Sequence, residues 1–343
     1  MANPKRTSIA DLARQLGISP STVSRALANH EGISEATKDR VRQLAQELHY
    51  RPNQLAAALR KGHSKTLGVI VPHIRGYFFP AVMNGIEKIA SRAGFNVMMC
   101  QSNEELRREQ QNIDTLLAAQ VEGILVSLSA TTHNEVQHFE QVRQQGTPLV
   151  FFDRMADLPG SSAVILDDFQ GAYRAVTHLI EQGCTRIAHL AGPQHLNTSR
   201  NRYLGYAEAL RAHGLPLKEE WVYDLPALTH DAGRLAIEHL LALDASIDAF
   251  FAAYAIPTVG ALEVLQERNV RVPQDLAVAC FSNEPFTNMT QPRLTVVDQR
   301  AEQMGETAVQ LLLQLLKRGP SYSPPPLVLK PELIVRASSL HKL

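Results

Sequence analysis

The 343 residues are 45% hydrophobic and 20% charged, with 34 Lys and Arg balancing 34 Asp and Glu, a composition that excludes a disordered chain and allows two or three domains with separate cores. The balance is uneven: residues 1–65 hold eleven Lys/Arg against five Asp/Glu, so a small basic segment, suited to a polyanion, is joined to an acidic remainder. Three dispersed cysteines, Cys100, Cys184 and Cys280, exclude a disulfide framework and a Cys-x-x-Cys metal site, and no run approaches the roughly eighteen apolar residues that span a bilayer, so buried thiols in a cytoplasmic protein without a membrane partner are expected.

In chain order, the first predicted element is a helix from Ser8 to Leu16. Ser8 followed by Asp11 has capping-box form, and Ile9, Leu12, Ala13 and Leu16 recur at helical spacing. Gly17 ends it. Ser19 caps a second helix with Pro20 at its first position, where a missing N–H costs nothing. Val23, Ala26 and Leu27 fall on one face, while Ser21, Thr22, Arg25 and Asn29 occupy the other. A third helix starts at Ser34 and buries Val41, Leu44, Ala45 and Leu48. Helix, glycine turn, helix is the arrangement that lays its second helix in a major groove. Arg25 is the best base reader, able to donate two parallel hydrogen bonds to guanine, and the hydroxyls of Ser8, Ser19, Thr22 and Ser24 suit phosphate oxygens. The alternative is a three-helix bundle whose polar face meets only water.

After Tyr50-Arg51-Pro52 comes a helix-prone octet, Asn53 to Arg60, and a basic linker with Gly62. Eight residues are fewer than the roughly 12–15 that hold a helix in water, so something else must order them. The stretches SIADLARQLGISPSTVSRALAN, YRPNQLAAALR and KTLGVIVP resemble the lactose-repressor/galactose-repressor family of bacterial transcription regulators, and the likeness runs to nearly the end of the chain. It implies that two hinge helices pair over the operator's minor groove, with Leu59 as the wedge between base pairs and Asn53, Ala56 and Arg60 beside it.

From Thr66 onward, short apolar runs alternate with amphipathic helices, the pattern of a doubly wound parallel sheet. Candidate strands are 67–71, 96–100, 123–127, 149–153, 163–167, 186–190, 248–252 and 276–281. Eight strands exceed one compact sheet, so two lobes are expected, with the strand near Ala163 opening the second. The resemblance implies a periplasmic-binding-protein-like pair of lobes with crossings near residues 165, 295 and 330. The expected organisation is a helix-turn-helix domain at 1–52, a hinge and linker at 53–65, and an α/β effector-binding and dimerisation domain at 66–343. Its first lobe covers about 66–165 and 296–328, its second about 166–295 and 329–343. The run 321–332, rich in proline, is expected to be a stiff connector to a final strand.

Ligands of open α/β sheets lie beyond the carboxyl ends of strands. That rule nominates Pro72 to Phe79, Gln101-Ser102, Ser127, Asp153-Arg154, Asp167-Asp168, Gly192 to Arg202, Tyr254 and Ser282 to Glu284. Adjacent strand residues face opposite ways, so only one of Asp167 and Asp168 can line a pocket. Phe78 and Phe79 with nearby carboxylates and an arginine suit a ring bearing hydroxyls. The resemblance narrows the effector set to Phe78, Phe79, Ser127, Asp153, Arg202, Tyr254, Ser282 and Gln299. Arg202 could instead form an ion pair between helices. The sequence departs from the family at Tyr254-Ala255, where an Asn-Asp pair is common, and at Ser282, where an aspartate is common. Leu196 replaces a basic residue of the purine-binding branch, which disfavours a purine.

His133 and His138 are read on one helix with Glu135 and Glu140, a solvated face whose spacing fits no metal motif. No phosphate-binding glycine loop, nucleophile elbow or Cys-x-x-Cys occurs, so no cofactor, metal or catalytic residue is expected and the chain is not read as an enzyme. One recognition helix covers too few bases, which implies a homodimer on a palindromic operator. The C-terminal ASSLHKL carries no leucine heptad of the kind that makes family tetramers. The rival reading is a solute-binding protein without a gene-regulatory role.

Overall fold

In a computed structural model the chain is described for residues 7–50, 64–133, 135–319 and 321–340. It divides into two units, Met1–Ser64 and Lys65–Leu343. The octet 53–60, with Asn53, Ala56, Leu59 and Arg60, lies outside the described residues.

The first unit holds α1 (Ile9–Leu16), α2 (Pro20–Leu27) and α3 (Glu35–Glu47), each started by a serine cap. Ser8 Oγ accepts from Asp11 N, and the Asp11 carboxylate accepts from Ser8 N at 2.9 Å, closing the predicted capping box. Gly17 ends α1 in the left-handed region at φ +68°, which a side chain would strain. Leu12, Ala13, Val23, Ala26, Val41 and Ala45 form the core, flanked by Ile9, Leu16 and Leu44. So small a core needs every contact the apolar spacing supplies.

The second unit is built on two six-stranded sheets. The first has β1 (Thr66–Val71), β2 (Asn96–Gln101), β3 (Gly123–Val126), β4 (Leu149–Phe152), β5 (Ser162–Leu166) and β11 (Leu327–Leu329), in the order β11-β5-β4-β3-β1-β2. The second has β6 (Ile187–Ala191), β7 (Val222–Asp224), β8 (Ala249–Ala252), β9 (Ala277–Phe281), β10 (Thr295–Asp298) and β12 (Glu332–Ile334), in the order β12-β10-β9-β8-β6-β7. Every pairing is parallel except β10 with β12. The strand near Ala163 was expected to open the second lobe. It is β5 of the first, because its largely buried run, apolar after Ser162, pairs with β4 and crossing occurs only at the following turn. The connector 321–332 is also not merely a spacer: β11 and the start of β12 lie within it.

In the first lobe α4 (Phe78–Arg92) and α11 (Ala301–Arg318) cover one sheet face, while α5 (Leu106–Ala118) and α6 (Gln137–Gln144) cover the other. In the second, α7 (Asp168–Glu181) and α8 (Asn197–Ala212) oppose α9 (His230–Leu243) and α10 (Ala255–Glu267). The chain passes between lobes three times: from β5 to α7, from β10 to α11, and from β11 to β12. The crossings are tied together. Asp167 N donates to Leu329 O at 2.9 Å, Asp298 pairs with Glu332, and Arg300 Nη2 donates to Glu332 Oε2 at 2.6 Å. Among the described residues no helix is long and apolar enough to cross a membrane.

Helices α4 and α11 cross with glycine against backbone on both sides: a Cβ on Gly85 would meet the carbonyl of Glu302, and one on Gly305 that of Val82. Gly305→Ala is expected to force the pair apart and lower unfolding free energy by about 1–3 kcal/mol, read by chemical denaturation.

Candidate functional site

Two surfaces gather the nominated residues. On the first unit, Pro20, Ser21 and Arg25 are exposed along α2 and Thr22 and Ser24 are half-buried. Ser19 Oγ accepts from Thr22 N at 3.1 Å and lies 2.7 Å from Ser21 Oγ and 2.8 Å from Thr22 Oγ1. Ser8 Oγ donates to Asp11 at 2.6 Å. The hydroxyls of Ser8 and Ser19 are thus engaged in their caps. Asn29, at φ +57°, is turned toward α3, where its side-chain oxygen accepts from Arg42 Nη2 at 3.0 Å. Arg14, Lys38 and Arg42 each meet a carboxylate of their own helix. Arg25 meets none among the described residues, so its guanidinium is exposed and uncommitted.

On the second unit, the carboxyl ends of both sets of strands face each other. Arg202, on α8, is 2% exposed. Its Nε donates to Asp168 Oδ1 at 2.8 Å and its Nη1 to Ala253 O at 2.7 Å, and the guanidinium lies 3.9 Å from the centroid of Phe281 and 5.0 Å from that of Tyr254. The alternative of a helix-to-helix ion pair is therefore realised, within the second lobe between α7 and α8. Asp167 caps α7 through Gln170 N at 3.0 Å while Asp168 is fully buried, so one of the pair faces inward, as expected. The turn after β5 achieves this, not strand alternation. Burial pushes the Asp168 carboxyl up to about 7 against the pull of Arg202, and it raises Asp153 too.

The first lobe's wall is built from strand-end turns. Asp153 is buried at φ +60°, and Arg154 beside it donates from Nη1 to Glu104 Oε2 at 2.9 Å and to Leu128 O at 3.2 Å. The walls touch: Asn197 Nδ2 donates to Asp153 O and Met155 N to Asn197 Oδ1, both at 3.0 Å, and His195 Nε2 donates to Ala130 O at 2.6 Å. Tyr254 Oη lies 2.8 Å from Ser199 Oγ. Ser127 is fully buried and its Oγ has no hydrogen-bond partner among the described residues.

The nominated effector residues separate into groups. Asp153, Arg202 and Tyr254 belong to this charged wall. Phe78, Ser282 and Gln299 line a cavity of about 440 Å³ beside the second crossing, with Tyr77 and Asn283. Phe79 is buried in the core and supports the Phe78 ring edge-on, their centroids 5.1 Å apart. Leu196 is buried at the start of α8. Glu104 was missed by sequence reasoning. It stands three residues past β2, at φ +64°, where extending the strand-end rule beyond Ser102 would have reached it.

The two histidines expected on one solvated helix are placed differently. His133 precedes α6, its ring 4.0 Å from that of His195, and His138 is buried on α6 and not solvated. Glu109, fully buried, accepts from Ser129 N at 2.7 Å, Thr132 Oγ1 at 2.8 Å and His138 at 3.0 Å. A buried carboxylate needs such donors, and neither residue betrays this at the spacing of a polar helix face. The network fixes the loop carrying Ala130. Among the described residues no group of three or more His, Cys, Asp or Glu could hold a metal ion.

Residues 8–53 match the model of the lacI family of bacterial regulatory proteins, and residues 176–339 that of a periplasmic binding protein-like domain. The HTH-type transcriptional regulator RegA of Clostridium saccharobutylicum is 30% identical over 336 residues, 97% of this chain and 99% of that one. The chain belongs to the lacI family of bacterial regulatory proteins. It is a DNA-binding transcription regulator, and its named relatives are regulators, not enzymes. Among solved structures, the transcriptional regulator CelR–cellobiose complex has 28% identity and a TM-score of 0.74, covering 97% of this lacI-family chain and all of CelR. The lac repressor dimer bound to operator and an anti-inducer, at 23% identity, shares the fold with a TM-score of 0.87 over 98% of this chain and all of its own.

Two outcomes follow from the buried pair. Arg202→Ala leaves Asp168 uncompensated and is expected to cost about 3–5 kcal/mol of stability in the ligand-free chain. Asp168 titrates near 7 when folded and near 3.8 when unfolded. Its contribution to stability is therefore complete below pH 3.8 and lost as pH rises through 7. Asp168→Asn should flatten that part of the stability-versus-pH curve in urea titrations.

Proposed function

We propose that this lacI-family regulator is a cytoplasmic homodimer that binds a palindromic operator through α2 and is controlled by a small hydroxylated metabolite, a sugar or sugar derivative, held between its lobes. The observation carrying this reading is the pairing, in one chain, of a capped helical unit displaying an uncommitted arginine with a two-lobed unit whose strand ends enclose buried polar groups. Arg25 would read guanine in the major groove. Ser21, Thr22 and Ser24 would contact phosphates, with Ser8, Ser19, Pro20 and Asn29 setting the helix against the backbone. One eight-residue recognition helix cannot cover an operator alone, and two-fold symmetry doubles the reading.

In the cleft, Arg202, Asp153 and Tyr254 would bind ligand hydroxyls, Ser127 would supply a buried hydroxyl, and Phe78, backed by Phe79, would offer a ring face beside Ser282 and Gln299. The cellobiose in the CelR complex supports a sugar. Effector binding would change the angle between lobes about the three tied crossings and thereby bias the segment 53–60, where Leu59, with Asn53, Ala56 and Arg60, would engage the minor groove. The domain assignment that goes with this is 1–52 for operator recognition, 53–65 for coupling and 66–343 for sensing and dimerisation.

Band shifts on an operator selected from random duplexes test the DNA half. Arg25→Ala is expected to lose about 1–3 kcal/mol of discrimination at one guanine, with its helical circular dichroism unchanged. Affinity lost equally on every sequence would reduce Arg25 to a phosphate contact. Leu59→Gly is expected to weaken operator binding at fixed salt and leave effector binding intact.

A further inference from the structure

Among the described residues two buried guanidiniums, those of Arg154 and Arg202, stand at the strand ends of the cleft, and each is already matched. Arg300 and Lys88, which line the cavity beside the second crossing, pair with Glu332 and with Glu302 and Glu306. Arg154 Nη1 lies 2.9 and 3.1 Å from the two Glu104 oxygens, and its Nε is 3.9 Å from Asp153 Oδ2. Glu104 is itself fixed by Ala130 N, which donates to its Oε2 at 2.7 Å. Arg202 is paired with Asp168 at 2.8 Å and turned between the Phe281 and Tyr254 rings. Glu104, Asp153 and Asp168 therefore outnumber the two arginines. The nearby His73 adds no positive charge, because burial lowers its pKa. What remains unmet calls for hydrogen bonds and not for an anion: the hydroxyls Ser127 Oγ and Thr198 Oγ1 and the carboxyl oxygen Asp168 Oδ2 are buried with no hydrogen-bond partner among the described residues.

Resting on the reading of this cleft as the effector site, we infer that it selects an uncharged, polyhydroxylated ligand and rejects the phosphorylated or carboxylated form of the same molecule, with Glu104 and Asp168 as the specificity-determining residues that neutralise Arg154 and Arg202. An anion entering the cleft would leave its hydration shell for guanidiniums whose charge is already spent, beside a surplus carboxylate. Hydroxyl groups have no such difficulty. Each donates to a carboxylate oxygen or to Ser127 and accepts from a remaining guanidinium N–H, so donors and acceptors are satisfied without added charge. Rejection here comes from the residues that hold the arginines, not from the absence of arginines.

The test uses the full chain at pH 8, above the value to which Asp168 is pushed. Calorimetric titrations compare D-glucose and D-ribose with glucose 6-phosphate, gluconate and ribose 5-phosphate, and a thermal-shift series adds inorganic phosphate at constant ionic strength. The parent chain is expected to bind a neutral sugar on the order of tenfold or more tighter than its anionic counterpart, and inorganic phosphate is expected to leave its melting temperature unmoved. Glu104→Gln and, independently, Asp168→Asn should each gain phosphate-dependent stabilisation of about 2 °C or more and narrow the sugar preference. Phosphate that stabilises the parent in an Arg202-dependent way, an anionic sugar that binds as tightly as the neutral one and competes with it, or folded variants of both kinds that gain nothing from phosphate would each overturn the inference while leaving the cleft as the effector site. Sugar binding that survives Arg202→Ala undiminished would instead overturn the cleft reading.

Discussion

Two arginines are buried where the carboxyl ends of the parallel strands of two sheets meet, and their charge must be answered inside the protein. Each buried ion costs several kcal/mol unless it is paired and hydrogen-bonded. The turns that end β2, β4 and β5 are shaped to supply those partners. Asn103 and Glu104 are consecutive left-handed residues, Asp153 is a third, and α7 begins with Asp168 pointing inward. The turns after β3 and β4 carry contacts between lobes, since Ala130 binds Glu104 through its N–H and His195 through its carbonyl, and Asp153 O accepts from Asn197 Nδ2. Charge matching within a wall and adhesion between walls are thus parts of one network. A ligand entering it would have to exchange hydrogen bonds with groups that already hold the lobes together, which is how the proposed effector would act on lobe geometry.

The helical unit solves the opposite problem, keeping its polar face free. Leu12, Val23, Ala26 and Val41 consume the apolar faces of three short helices, and Ser8, Ser19 and Ser34 satisfy helix N-termini without outside help. Arg42 reaches Asn29 across the fold and braces the end of α2. Arg25 is left to face outward on a helix whose position is fixed from behind.

The parts of this architecture that follow from local rules are legible in the sequence. Serine caps, the Gly17 stop, the helical spacing of the N-terminal core and most strands of the larger unit depend on neighbours a few residues away. The strand-end rule also finds Asp153, Arg154, Asp168 and Arg202, because a parallel sheet places its loops before its contacts are known. What escapes depends on distant partners. The mostly apolar run at 162–166 would read the same in either sheet, and only pairing with β4 and β11 assigns it to the first. His138 and Glu109 look like surface residues of two polar helices until the fold brings them to 3.0 Å. β11 and β12 are three-residue strands in a proline-rich run, too short for any periodicity.

The central claim is that occupancy of the cleft and grip on DNA are one coupled equilibrium. It is tested most directly by measuring the affinity of a cleft-binding sugar for the full chain with and without saturating operator duplex, alongside operator affinity with and without that sugar. Linkage requires the two ratios to be equal and different from one. Sugar affinity unchanged by operator would contradict the account, leaving a cleft and a DNA-binding unit in one chain with no energetic connection between them.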